Sequence, residues 1–141
     1  MLSQKARYAL HAMIHLARKG EAATVAEIAQ AEDIPRKYLE QILSALGTRG
    51  LVVGRRGPQG GYRLARGAEA ISYADILRCI DGPLALAPCA TRKGFRTCDD
   101  CQSMETCEIR PVLIECREAT ARLLEAMTLA RAVERGGSLL P

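Results

Sequence analysis

Residues 35–46 read Pro35-Arg36-Lys37-Tyr38-Leu39-Glu40-Gln41-Ile42-Leu43-Ser44-Ala45-Leu46, a helix with two chemically different faces. Tyr38, Leu39, Ile42, Leu43 and Leu46 recur at three- and four-residue spacing and make one face apolar, while Arg36, Lys37, Glu40 and Gln41 fall on the other. Pro35 suits the first helical position, and Gly47 and Gly50 close the segment. Arg can pair with guanine, Gln with adenine, and Glu can accept from cytosine, so the polar face has the chemistry for reading base edges in a major groove.

The neighbouring residues supply a context for such a reader. Residues 25–31 form a short helix capped by Thr24, with Glu27 three positions on, and Glu32-Asp33-Ile34 makes the turn into the next helix. Two short helices joined by a tight turn are the helix-turn-helix pattern. Before them, residues 4–18 place Ala6, Ala9, Leu10, Met13, Ile14, Leu16 and Ala17 on one helical face, ending near Lys19-Gly20. After them, residues 51–53 and 62–65 are two short strands around a basic, glycine-rich tip, residues 54–61. Arg55 and Arg56 in that tip suit a wing resting on phosphates or a minor groove.

The chain has 141 residues and a net charge of +4, unevenly spread: residues 1–67 carry 11 Lys or Arg against 5 Asp or Glu, and residues 68–141 carry 9 against 11. A basic excess on one small module is the footprint of phosphate-backbone binding. Two large domains are excluded by length, and no window approaches the roughly 18 apolar residues of a membrane span. The opening residues lack a secretory pattern, which points to the cytoplasm, where permanent disulfides are disfavoured.

Ser72 caps a fourth helix, residues 73–80, and Pro111 opens a long helix expected to run to about residue 135 with Val112, Leu113, Cys116, Ala119, Leu123, Leu124 and Met127 along it. Its apolar stripe, residues 112–130, is too long for the N-terminal core to cover and predicts a homodimer interface. Between these helices lies a polar loop with Cys89, Cys98, Cys101 and Cys107. Thiols this close in sequence, with almost no apolar residues between them, have no core to fill and suit a metal centre. The same thiols would also serve a tetrahedral zinc site or a thiol-disulfide switch through Cys98 and Cys101, and a small dithiol oxidoreductase is a further alternative. That enzyme would need a βαβ context which the sequence lacks. Cys79 reads as a small core residue, Cys116 as interface packing, and His11 as a packed histidine on an apolar helix face.

The runs Tyr38-Leu39-Glu40-Gln41-Ile42-Leu43, Gly50-Leu51-Val52 and Arg56-Gly57-Pro58-Gln59-Gly60-Gly61-Tyr62-Arg63-Leu64-Ala65, with the opening Lys5-Ala6-Arg7-Tyr8-Ala9-Leu10, resemble the Rrf-two family of bacterial winged-helix regulators, of the IscR, NsrR and RirA type. The resemblance implies that Glu40 and Arg56 contact DNA, that the C-terminal helix dimerises, and that Cys89, Cys101 and Cys107 hold an iron-sulfur cluster with Cys98 as an additional thiol. Arg110 stands where the IscR type has a histidine ligand, and arginine cannot replace it. Where some relatives take a ligand from the first helix, this chain offers His11 and has Arg7 in place of a carboxylate, so both a 2Fe-2S and a 4Fe-4S cluster remain open.

The expected architecture is therefore mainly α with a small β-hairpin: a winged helix-turn-helix domain over residues 1–82, a cysteine-rich loop over 83–110, and a dimerisation helix and tail over 111–141. The expected function is that of a regulator, not an enzyme, binding a palindromic duplex operator as a homodimer. Operator affinity would change when a cluster on Cys89, Cys98, Cys101 and Cys107 is lost, oxidised or nitrosylated.

Overall fold

The computed structural model describes residues 1–136. The elements are α1 (Gln4–Lys19), α2 (Val25–Glu32), α3 (Arg36–Thr48), β1 (Val52–Arg55), β2 (Gly61–Leu64), α4 (Tyr73–Ile80), α5 (Arg110–Ala126) and α6 (Leu129–Arg135), with short 3-10 turns at Ala68–Ala70 and Pro88–Ala90. The final residues of the expected C-terminal tail, 137–141, lie outside the described residues.

Helix ends follow their capping residues. Ser3 accepts from the Ala6 amide, and Gly20 closes α1 in the left-handed conformation at φ 72°. Thr24 and Glu27 form the expected capping box, with Glu27 accepting from the Thr24 amide at 2.6 Å. Ser72 and Asp75 form a second one at the start of α4. Pro35 is the N-cap of α3, one position ahead of the helix, because Arg36 is its first helical residue.

One core joins the helices. Ala9, Ala12, Met13 and Leu16 of α1 meet Leu39, Ile42, Leu43 and Leu46 of α3, all buried. Burying side chains of this kind stabilises by about 1.5–3 kcal/mol each before chain entropy is counted. The Tyr8 and Tyr38 rings meet edge to face at 5.8 Å and fix α3 on α1.

The hairpin pairs Val52 with Leu64 through to Arg55 with Gly61, antiparallel. Its strands extend one to two residues further toward the tip than the sequence suggests, so Arg55 lies in β1 and only residues 56–60 turn. Two glycines are required here. A Cβ on Gly60 would lie 2.5 Å from the Arg55 carbonyl oxygen, and one on Gly61, at φ 137°, would lie 2.5 Å from the Ala23 carbonyl oxygen. Gly61 thus admits the backbone of residue 23, which exchanges hydrogen bonds with Tyr62 at 2.8 and 2.9 Å and pins the wing to the segment before α2. Gly57, by contrast, has open space around it at the tip.

The expected single C-terminal helix is two helices. Met127 and Thr128 are extended (ψ 100° and 162°), and Thr128 pairs across with Ser72. The Tyr73 amide donates to the Met127 carbonyl and the Leu129 amide to the Ile71 carbonyl, both at 2.9 Å, while the Thr128 hydroxyl caps α6 by accepting from the Arg131 amide. Leu129 is fully buried in the N-terminal core. Satisfying these backbone groups and burying Leu129 outweighs one further helical turn, so the chain breaks and α6 returns to pack on α1.

Candidate functional site

On α3 the four residues singled out by the sequence, Arg36, Lys37, Glu40 and Gln41, are all exposed. They lie within its first six residues, where a recognition helix meets base edges. Arg36 Nε sits 3.5 Å from Glu40 Oε1, one turn apart. This exposed pair is weak, so either partner can be released to a base or phosphate at little cost. Ser44 continues the same exposed face and was not singled out. On the wing, Arg55 and Arg56 are exposed, and so is Arg63 on β2, which pairs in register with Val53. The alternation of the strand, which turns Arg63 away from half-buried Leu64, was the available signal for it.

The cysteine loop is organised from α5. Cys89 lies in the 3-10 turn Pro88–Ala90 and is 3 % exposed, whereas Cys98, Cys101 and Cys107 are half-buried. All six cysteines are free thiols. The Cys101 amide donates to the Cys98 carbonyl at 3.0 Å, so these two thiols share a tight turn. Arg110 Nε donates to the Cys89 carbonyl at 3.1 Å, and Arg117 Nη1 to the Ala90 carbonyl at 2.5 Å. Arg110, which cannot be a ligand, therefore has a positioning job.

Cys89, Cys98, Cys101 and Cys107 line a single cleft of about 430 Å³, walled by Ile109, Arg110 and Leu113 of the α5 start. Burial pushes the Cys89 thiol above its ordinary pKa, the hydrogen-bonding and charge of neighbouring Cys98 push it further, and the Arg110 guanidinium pulls against them. A thiol held in its protonated form must lose that proton to ligate a metal. Among the described residues no three His, Cys, Asp or Glu side chains already stand around one ion-sized point. The donor set nevertheless fits an iron-sulfur core in its chemistry: four thiols converge on one cleft, and residues 91–109 between them carry no helix or strand that would resist closing around it.

The other singled-out groups lie elsewhere. His11 is exposed rather than packed, with Nδ1 3.7 Å from Glu32 Oε2, because α1 turns Ala9, Ala12 and Met13 to the core instead. His15 Nδ1 contacts the other oxygen of Glu32 at 3.1 Å. Neither histidine lines the cysteine cleft within the chain. The Cys79 thiol approaches the Ala45 carbonyl at 3.5 Å and packs against the core, as expected; Cys116 is exposed on α5.

A helix-turn-helix with a docked, arginine-bearing wing defines a winged-helix protein of the DNA-binding class. The family model Rrf2, described as an iron-dependent transcriptional regulator, matches residues 2–135. A putative rrf2-like HTH-type regulator of Rhodobacter capsulatus is 37% identical over 134 residues, covering 92% of this chain and 89% of the relative. Among solved structures, CymR of B. subtilis, described as the global cysteine regulator, superposes with a TM-score of 0.76 at 32% identity over 95% of this chain and 96% of its own. IscR of T. potens superposes with a TM-score of 0.75 at 26% identity over 100% of this chain and 93% of its own. The chain belongs to the Rrf2 family, the Rrf-two family of its sequence resemblance, and is a transcriptional regulator rather than an enzyme.

Proposed function

We propose that the chain binds a palindromic duplex operator as a homodimer, and that an iron-sulfur cluster held by Cys89, Cys98, Cys101 and Cys107 controls its affinity. The observation that carries this reading is the convergence of the four thiols on one cleft whose wall is the start of α5. A bound cluster supplies thiolate-held iron, which responds to iron supply, oxidation and nitric oxide.

The chain's own residues do the rest. Arg36, Lys37, Glu40 and Gln41 read base edges, and Arg55 and Arg56 hold the wing to the backbone. Ile109, Val112 and Leu123 leave large apolar side chains exposed along α5, the face for a second copy. Arg78 Nη2 contacts Glu125 Oε1 at 2.5 Å, so α5 bears on α4 of the reading domain. A change in how tightly the cysteines tie their loop to α5 is passed through this contact to the spacing of the two recognition helices, and that spacing selects operator half-sites. The switch operates to the extent that its two states bind the operator differently.

The test is anaerobic reconstitution of the purified parent and of each Cys→Ala variant under reducing conditions, measuring iron and sulfide. Cys89→Ala, Cys101→Ala and Cys107→Ala lose the iron and Cys79→Ala keeps it; unchanged iron in Cys107→Ala contradicts the reading. A thiol switch is the second reading, favoured by the four thiols sharing one cleft and by the likeness to the cysteine regulator CymR. It replaces the first if the parent holds no iron and mass spectrometry finds a reversible disulfide in residues 89–107.

A further inference from the structure

A second cleft, of about 660 Å³, lies away from the cysteines. Five cationic side chains line it: Arg49 at the end of α3, Arg78 of α4, Arg92 and Lys93 of the loop, and Arg117 of α5. Two carboxylates share the region. Glu125 pairs with Arg78, and Glu118 pairs with Arg92 at 2.6 Å and Arg117 at 2.5 Å. Arg49 and Lys93 are exposed and have no carboxylate partner among the described residues, so the formal charge around the cleft is in excess by three. Pro83, Leu84 and Ala121 add an apolar wall, and Thr91 a hydroxyl.

We propose that this cleft binds a small phosphate ester with a compact apolar body. Its volume falls in the range of small-ligand sites, roughly 300–1,000 Å³, and its lining, mainly cationic with a short apolar wall, suits an anionic head on a compact apolar body. Unpaired guanidinium and ammonium groups supply charge-assisted donors to a phosphate, the arginine in a planar fork. Duplex DNA is the less suited occupant. Arg49 lies 13 residues beyond Arg36, about 20 Å along the helix at ~1.5 Å per residue, at the end of α3 opposite the reading end.

The cleft is bounded by the C-terminal end of α3, by α4, by the part of the cysteine loop just after Cys89 and by α5, so its occupant bridges elements that carry the reading surface and the cysteines. A ligand that binds one arrangement of these parts better than another shifts the regulator toward it. This effector site requires neither the cluster nor the operator, and its test includes neither as a condition of binding.

The test is calorimetric titration of the full chain with inorganic phosphate and with phenyl phosphate, against sodium chloride at matched ionic strength. Saturable binding is expected for both, tighter for phenyl phosphate. The double variant Arg49→Gln, Lys93→Gln, which removes two exposed and unpaired charges, should bind phenyl phosphate at least about tenfold more weakly, as befits the loss of charge-assisted contacts. Heats no larger than those of the salt control, or the same isotherm for the double variant, overturn the proposal. If phenyl phosphate does not bind while the double variant loses duplex affinity, the cleft holds DNA phosphates instead; if it does not bind and the variant loses self-association, a partner's carboxylates fill it.

Discussion

Arg110 Nε donates to the Cys89 carbonyl oxygen at 3.1 Å while its guanidinium lies 5.6 Å from the centre of the Phe95 ring. One side chain at the start of α5 therefore holds the first cysteine and the middle of the loop together. Arg110→Ala removes a charge-assisted hydrogen bond and a cation–π contact, worth roughly 1–3 kcal/mol together. Amides of residues 89–98 should exchange faster in that variant while those of α3 do not change. Equal protection in parent and variant would deny Arg110 its positioning job.

The break at Met127-Thr128 ties the far end of the chain to the reading domain through Leu129, which is fully buried. Leu129→Ala is expected to cost about 2–5 kcal/mol in urea unfolding followed at the Tyr8–Tyr38 pair. A loss below about 0.5 kcal/mol, the level of an ordinary surface substitution, would mean that α6 does not belong to the core.

Much of this was legible in the sequence, for physical reasons that differ by element. Thr24 with Glu27 and Ser72 marked helix starts because each satisfies amides that have no partner within the helix. Leu39, Ile42, Leu43 and Leu46 marked a buried face by spacing alone. The break in the C-terminal helix was not legible from periodicity, because Met127 and Ala130 continue the stripe; Thr128 was a local cap signal, but its pairing with Ser72 is a contact across 56 residues. At the cysteine cleft the thiols were readable as a cluster of ligand types. The roles of Arg110 and Arg117 were not, since both act on backbone carbonyls that carry no sequence signature.

Leu123 is 66% exposed on α5, and Ala121 is the one residue buried along that 17-residue helix. An apolar face left this open calls for a partner. Sedimentation of the parent at micromolar concentration should give a dimer and Leu123→Glu a monomer of unchanged helix content. A monomeric parent would refute the dimer.

Arg56 and Glu40 should fail differently. Arg56→Ala is expected to weaken binding to every duplex and to lower the salt slope by about one unit, as loss of a phosphate contact does. Glu40→Ala is expected to cost roughly 1–3 kcal/mol at one operator position and to relax preference there. Titrations at several salt concentrations against cognate and base-substituted duplexes separate the two. Parental behaviour of both variants on every duplex would exclude α3 and the wing as the reading surface.

The central claim is that what the four cysteines hold governs what α3 reads. Its most direct measurement is the affinity of the anaerobically prepared parent for one operator duplex before and after the iron is removed by a chelator, beside the same pair of titrations on Cys107→Ala. A shift of at least tenfold in the parent, corresponding to about 1.4 kcal/mol of coupling, with no shift in Cys107→Ala, is the predicted result. Identical affinities of the parent with and without iron would contradict the account.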